Sequence, residues 1–241
     1  MQGLEKRVIA EKRHMWKRYE VTLEFEGKFA ASLPKTREEI KAMLENRQAT
    51  DAALRKRIES GEVAVPVDEL TEEVALAVGV DEEEVPQFGY ATFCRDENGL
   101  YYEGRCIRGH LKDCATQIQG LVDVKALHSK VANKVYVETN KIYLGKQEPD
   151  GTVTRYVQAM TRKGPRSTIK FIDYVEQPTL TFALRVLNDG VITESILESL
   201  FEYGATHGMG QERSQDFGRY RFRCQPLAAN AASLGKGEKS E

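Results

Sequence analysis

The sequence predicts an α+β protein. Apolar and polar residues alternate in Tyr19–Glu26 and again in five runs between residues 134 and 187, the period of half-buried strands. Apolar side chains recur at three and four in Ile107, Leu111, Cys114, Ala115 and Ile118, and again in Ile196, Leu197, Leu200 and Phe201, the period of helices with one buried face. At 241 residues, 41% apolar and 30% charged, the chain is long enough to enclose a sizeable core.

Residues 1–18 form a basic arm, with Lys6, Arg7, Lys12, Arg13, Lys17 and Arg18 against only Glu5 and Glu11. Within it Trp16 is either an anchor against a neighbouring subunit or a local contact. The first strand follows over 19–26. After Pro34, Thr36 caps a helix with Glu39 three residues on, and Ile40, Met43 and Leu44 carry it into a charged run ending near Gly61. A weaker helical pattern spans Asp68–Gly79, and Asp81–Glu84 before Pro86 marks a loop. Phe93–Tyr102 reads as strand, Asn98-Gly99 turn, strand, leading into the first amphipathic helix. On that helix Arg105, Arg108 and Lys112 fall opposite the apolar stripe, on the solvent side.

The later strands cover 135–137, 142–144, 153–160, 169–175 and 180–187, with Pro149-Asp150-Gly151 read as a hairpin turn. Between the third and fourth lies the basic loop Arg162-Lys163-Gly164-Pro165-Arg166, a form suited to phosphate. Thr193 caps the last helix, a glycine-rich loop spans Gly204–Gly210, and Gly218–Phe222 returns as a strand. The tail over 228–241 reads as disordered. Residues 19–227 are read as one domain, with a helical, acidic insertion at 33–92 and a β-hairpin region at 134–175.

Charge is unevenly placed. Residues 59–84 hold ten acids and no Lys or Arg; a segment of −10 in a chain of net charge −2 leaves +8 on the remainder. A basic body able to meet a polyanion, with an acidic segment that faces away or meets a basic partner, is the functional reading; a solvated acidic loop is the plain one. Residues 1–30 lack an uninterrupted apolar run and no stretch approaches eighteen apolar residues, which predicts a cytoplasmic chain without a signal peptide, membrane span or membrane partner. Cys94, Cys106, Cys114 and Cys224 show no C-x-x-C spacing, so reduced structural thiols are expected rather than zinc or disulfides.

The sharpest local signal is Gly204–Arg219. Glycines there allow positive φ and close backbone approach, exposed amides form a concavity for anions, and Arg213 and Arg219 add full charge. The spacing fits neither a Walker loop nor a dinucleotide fingerprint; a helix stop with a sharp turn is the plain alternative. The run Gly208-Met209-Gly210-Gln211-Glu212-Arg213-Ser214 with Phe217-Gly218-Arg219 resembles the C-terminal signature of the RAMP superfamily of CRISPR-associated proteins. Arg95–Lys112, containing Gly99, Tyr102, Gly104, Ile107-Arg108-Gly109 and Leu111-Lys112, is similar to the strand-to-helix motif of that superfamily's guide-RNA-binding backbone subunits. The resemblance covers roughly 19–31, 93–118 and 180–223.

That resemblance implies a ferredoxin-like (RRM-like) βαββαβ core with long insertions. It implies a non-catalytic subunit that grips the backbone of a guide (CRISPR) RNA and assembles into an effector ribonucleoprotein for antiviral defence. The partners would be guide RNA, further copies of the chain, other effector subunits and, as an option left open, target nucleic acid; no cofactor or metal is implied. The expected RNA contacts are Arg105, Arg108, Lys112, Arg162, Lys163, Arg166, Gly208, Gly210, Gln211, Arg213, Ser214 and Arg219. A sequence-independent grip needs just such cations and main-chain donors.

Target-cutting relatives carry an acid some six positions before the aspartate matched by Asp96. Here that position is Tyr90, which leaves such cleavage without its carboxylate. Asp96 is expected to fix the Asn98-Gly99 turn or pair with Arg95. A guide-processing endoribonuclease of the same superfamily is one alternative; its catalytic histidine would come from His14, His110, His128 or His207, of which His110 and His207 read instead as polar surface or capping residues. A viral or mobile-element mimic of a backbone subunit, docking through residues 59–84, is the other. Tyr101, Tyr102, Tyr136, Tyr143, Tyr156 and Phe171 are stacking candidates, Tyr156 first because the basic loop is close.

Overall fold

The computed structural model describes residues 15–48, 67–80, 89–161 and 164–227. The basic arm up to residue 14, with His14, the segments 49–66 and 81–88, the pair Arg162 and Lys163, and the tail from 228 lie outside the described residues.

The strands and helices follow in chain order. Strand β1 (Trp16–Phe25) is followed by the short strands β2 (Lys28–Ala30) and β3 (Leu33–Pro34), then helices α1 (Arg37–Gln48) and α2 (Val67–Val78). Next come β4 (Tyr90–Thr92), β5 (Cys94–Asp96), β6 (Gly99–Glu103), α3 (Gly104–Gln117), α4 (Leu127–Lys134), β7 (Val135–Val137) and β8 (Lys141–Tyr143). The chain closes with β9 (Gly151–Thr161), β10 (Gly164–Glu176), β11 (Thr179–Leu187), α5 (Glu194–His207) and β12 (Tyr220–Pro226). The α+β class is as the sequence predicts.

The central sheet runs β12-β1-β11-β7, antiparallel throughout. In chain order its strands are β1, β7, β11 and β12: α3 and α4 precede β7, the strands β8, β9 and β10 of the other sheets lie between β7 and β11, and α5 lies between β11 and β12. The alternation of β1 does what a period of two requires: Tyr19, Val21, Leu23 and Phe25 are buried beneath the helices, while Arg18 and Glu20 face water. On the helix side Ile107, Leu111, Cys114 and Ala115 of α3 meet Leu197, Leu200 and Phe201 of α5 in the same core as Leu180, Phe182, Leu184 and Val186 of β11. Trp16 is the first residue of β1; its ring meets Tyr136 edge-on at 5.5 Å with Arg185 over it at 5.1 Å, a local contact.

Two caps form as the sequence reads. Thr36 Oγ1 accepts from the Glu39 amide at 3.3 Å and donates to its carboxylate at 3.0 Å, and Thr193 Oγ1 accepts from the Ile196 amide at 3.3 Å. The acidic helix α2 lies against α1: Glu72 pairs with Arg37 at 3.0 Å and Asp68 with Lys41 at 2.6 Å, so these acids of residues 59–84 meet basic partners within the chain. Leu33, Ile40, Leu44, Ala75 and Val78 pack there with Cys94 and Tyr101, a small apolar cluster seated on β5 and β6.

Four local expectations are corrected. Pro149-Asp150-Gly151 is no hairpin turn, because β8 pairs with β6 and β9 with β10; it carries the chain from one sheet to another. The hairpin lies instead at β9–β10. In the β5–β6 turn Asp96 pairs with Gly99, so Glu97 and Asn98 are the central residues and Gly99 opens β6 at φ 113°. Gly204 belongs to α5 rather than to the loop after it: the helix runs close to Tyr220, where a built Cβ would fall 2.3 Å from the hydroxyl. The final strand begins at Tyr220, two residues later than expected.

Candidate nucleic-acid interface

Helix α3 places its cations by helical spacing. Arg105, Gly109 and Thr116 are exposed and share a stripe with half-buried Lys112. Gly109 is the unusual member, since a mid-helix glycine costs about 1 kcal/mol relative to alanine. No neighbour in the fold demands it, for a built Cβ would meet nothing within 4 Å. The Lys112 ammonium makes no ion pair or hydrogen bond among the described residues. Arg105 is held by Glu103 at 2.6 Å and remains 45% exposed in its side chain.

Arg108 corrects the expectation that all three cations face solvent. It is half-buried, donates to the Ala132 carbonyl and lies 5.0 Å from the Tyr136 ring centroid, tying α3 to α4 and β7. Of the three, Arg105 and Lys112 are the ones the fold leaves toward water.

The glycine-rich loop meets α3 at Asp113. Gly208 ends α5 at φ 79°, its amide bonded to the Gly204 carbonyl at 2.8 Å. Gly218, at φ 75°, lies so close to Met209 that a built Cβ would fall 1.8 Å from the Met209 oxygen; its amide donates to the Lys28 carbonyl at 2.8 Å. Gly210 sits against the Ala30 carbonyl in the same way, at 2.5 Å. These glycines therefore serve the fold. The amides of Gly210, Gln211 and Glu212 donate to nothing among the described residues, which leaves them as main-chain donors for an anion. Ser214 is exposed in a single 3-10 turn over Arg213–Gln215.

Arg213 joins loop and helix. Its guanidinium donates to Asp113 Oδ2 of α3 at 2.9 Å and to His207 Nε2 at 2.6 Å. Although partial burial acts the other way, the Arg213 hydrogen bond and charge hold the Asp113 carboxyl below the usual carboxylate range. His207 Nδ1 meets the Tyr203 hydroxyl at 3.4 Å, so both ring nitrogens have partners within the protein. Arg219 pairs with Asp216 at 2.6 Å on the surface.

His110 is not a surface residue. It is 6% exposed, its Nε2 lies 2.9 Å from the Tyr220 hydroxyl, and Cys114 Sγ is 3.7 Å away. Burial, with the Arg213 charge nearby, pushes the imidazole down to about 4. His128 is exposed on α4. Asp96 does fix its turn, accepting from the Asn98 amide at 2.9 Å; its ion-pair partner, however, is Lys141 at 2.6 Å rather than Arg95, which pairs with Glu148 at 3.0 Å.

Among the stacking candidates Tyr101 and Tyr102 are core residues at 7% and 8% exposure, and Phe171 stacks on Tyr90. Tyr156 is 83% exposed on the β9–β10 hairpin, beside exposed Val157 and Ile169. Arg166 lies in β10 near the tip of that hairpin.

Two features escaped the sequence reading. Asp173 of β10 is buried and accepts from three hydroxyls: Tyr90 at 2.9 Å, Thr92 at 2.8 Å and Thr152 at 2.8 Å. Glu212 reaches from the loop to the hairpin, pairing with Arg155 at 3.3 Å and Lys170 at 3.8 Å. Both join residues distant in the chain; only the oddity of an acid in a glycine-rich basic loop hints at the second.

No family model and no curated protein matches the chain. Among solved structures it is similar to a chain in the cryo-EM structure of the Type III-B Cmr-beta bound to cognate target RNA, with 12% sequence identity and a TM-score of 0.41. The match covers 88% of this chain and 61% of that one, so the present chain spans less than two thirds of its neighbour. Among the described residues no helix is long and apolar enough to cross a membrane.

Proposed function

We propose that this chain is a non-catalytic RNA-binding subunit that grips the backbone of a guide RNA and assembles, with copies of itself and other subunits, into a CRISPR-type effector ribonucleoprotein. The family reading rests on the two motifs, and with it β1, α3, β7, β11, α5 and β12 are read as a ferredoxin-like βαββαβ core in which β8, β9 and β10 are inserted. The observation that carries the function is the stripe of exposed Arg105 and Gly109 with half-buried Lys112, with open space over Gly109 and an ammonium beside it that is unpaired among the described residues. A glycine that costs helix stability and answers no contact in the fold suits close approach of another backbone. Cations on either side then meet phosphates without reading bases. The unbonded amides of Gly210 and Gln211 add main-chain donors on the loop that Arg213 couples to α3 through Asp113. Arg162 and Lys163, which lie outside the described residues, and Arg166 in β10 are proposed as further contacts.

The test is to purify the chain from cells, follow the ratio of nucleic-acid to protein absorbance across a sizing column, and extract what travels with it. RNA-loaded assemblies that vanish in the Arg105→Ala, Lys112→Ala double variant support the reading. A monodisperse protein free of RNA contradicts it, turning attention to hairpin cleavage or a protein partner.

A further inference from the structure

Glu212 stands in a left-handed conformation, φ 56°, which is strained for a residue with a side chain other than Asn or Asp. That backbone turns its carboxylate inward, to 16% side-chain exposure, between two cations of the hairpin. Yet the fit is poor. Lys170 Nζ is 3.8 Å away, and Arg155 Nε, at 3.3 Å, is buried with no hydrogen-bond partner. Neither cationic side chain makes a hydrogen bond among the described residues, although Arg155 also lies 6.0 Å from the Phe217 ring centroid. In the same loop as Glu212, Gln211 Oε1 is buried without a partner, and the Gly210, Gln211 and Glu212 amides donate to nothing among the described residues. Two cations, three amides and one ill-seated monoanion describe an anion site occupied by the protein itself.

We infer that Arg155, Lys170 and the 210–212 amides form a seat for one phosphodiester group of a nucleic-acid backbone, and that the Glu212 carboxylate is an internal stand-in that yields this seat when the backbone enters. A phosphodiester carries the same single charge but spreads it over tetrahedrally disposed oxygens, which can satisfy two cations and a backbone amide together where a planar carboxylate reaches neither cation well. Displaced, Glu212 swings to solvent and releases its strained backbone. The seat rests on the RNA-binding reading and adds to it a built-in competitor, one that sets how much salt and how weak an anion the site tolerates.

The experiment is a fluorescence-anisotropy titration of mixed-sequence single-stranded RNA against the full chain over a range of salt, for wild type, Glu212→Gln, Arg155→Gln and the double variant. Glu212→Gln keeps the side chain's shape and removes its charge. It is expected to bind RNA about three- to tenfold more tightly at low salt, because no carboxylate has to be displaced from the seat. In the Arg155→Gln background the same change is expected to have little effect, which a mere loss of local structure would not produce. If wild type binds but Glu212→Gln binds equally or less well, Glu212 is a clamp holding the hairpin and the inference falls while RNA binding stands. If neither binds while both remain folded by circular dichroism, the RNA reading falls and the seat with it. Should Glu212→Gln unfold, an Arg155→Gln slope equal to that of wild type overturns the seat by itself.

Discussion

Two glycines on packed helices make opposite predictions about one substitution. Gly204 lies in α5 where that helix crosses α3 and β12; a built Cβ would fall 2.3 Å from the Tyr220 hydroxyl, 2.6 Å from His110 Nε2 and 3.2 Å from Cys114 Sγ. Gly204→Ala therefore gains about 1 kcal/mol of helix propensity. It overpacks a filled core at roughly 2 kcal/mol. It also parts the buried His110–Tyr220 hydrogen bond, leaving polar groups unsatisfied at about 2 kcal/mol more. The net is a loss of about 3 kcal/mol. Gly109→Ala in α3 meets nothing within 4 Å and gains the propensity alone, about 1 kcal/mol. Urea unfolding followed by circular dichroism reads both: with an m value of about 3 kcal/mol per molar, the midpoint falls by about 1 M for Gly204→Ala and rises by about 0.3 M for Gly109→Ala. A Gly204→Ala protein as stable as wild type would refute the close approach of α5. A destabilised Gly109→Ala would show that the fold, not a ligand, needs that glycine.

Further predictions follow from buried polar groups. His110 titrates near 4 in the folded chain against an ordinary value of 6.5, so the unfolded chain binds the extra proton between those values; stability is intact above pH 6.5 and declines as the pH falls toward 4, by about 3 kcal/mol in all. His110→Gln should flatten that decline in urea titrations at pH 7 and pH 4, and equal losses in both proteins would contradict the neutral buried imidazole. Asp173→Ala strands the hydroxyls of Tyr90, Thr92 and Thr152 and is expected to cost about 3 kcal/mol, read as a lower urea midpoint, with Asp173→Asn costing less. Burial pushes the Cys94 and Cys114 thiols up to about 12, so a maleimide at neutral pH should label neither until denaturant is added; rapid labelling of the folded protein would argue against their burial.

What was legible in the sequence was local. The alternation of β1, the caps at Thr36 and Thr193 and the apolar stripe of α3 each depend on residues within a few positions of one another, and each forms as its spacing requires. Asp96 shows the limit: its hold on the turn is a two-residue matter and was readable, while its pairing with Lys141 depends on β8 lying beside β6. Helix α4 had no such signal. It is eight residues long, the Ala126 that precedes it at the N-cap is left-handed with no side-chain cap, and only Leu127 and Val131 are buried, too few to mark a period. Strands β2, β3 and β4, two or three residues each, owe their form to pairing with the distant β10 and with one another, which no local pattern announces. His110 was misplaced because an imidazole on an apolar helix face is polar by type, whereas the Tyr220 hydroxyl that satisfies it comes from the last strand.

The central claim is that the α3 stripe meets RNA phosphates. Its most direct test is the salt dependence of single-stranded RNA binding by wild type and by Lys112→Ala, a surface change expected to leave stability within about 0.5 kcal/mol. The account predicts wild-type affinity that falls steeply with salt and a Lys112→Ala slope shallower by about 0.7, one phosphate contact fewer. Identical slopes for the two proteins, or no binding by folded wild type at low salt, would contradict it.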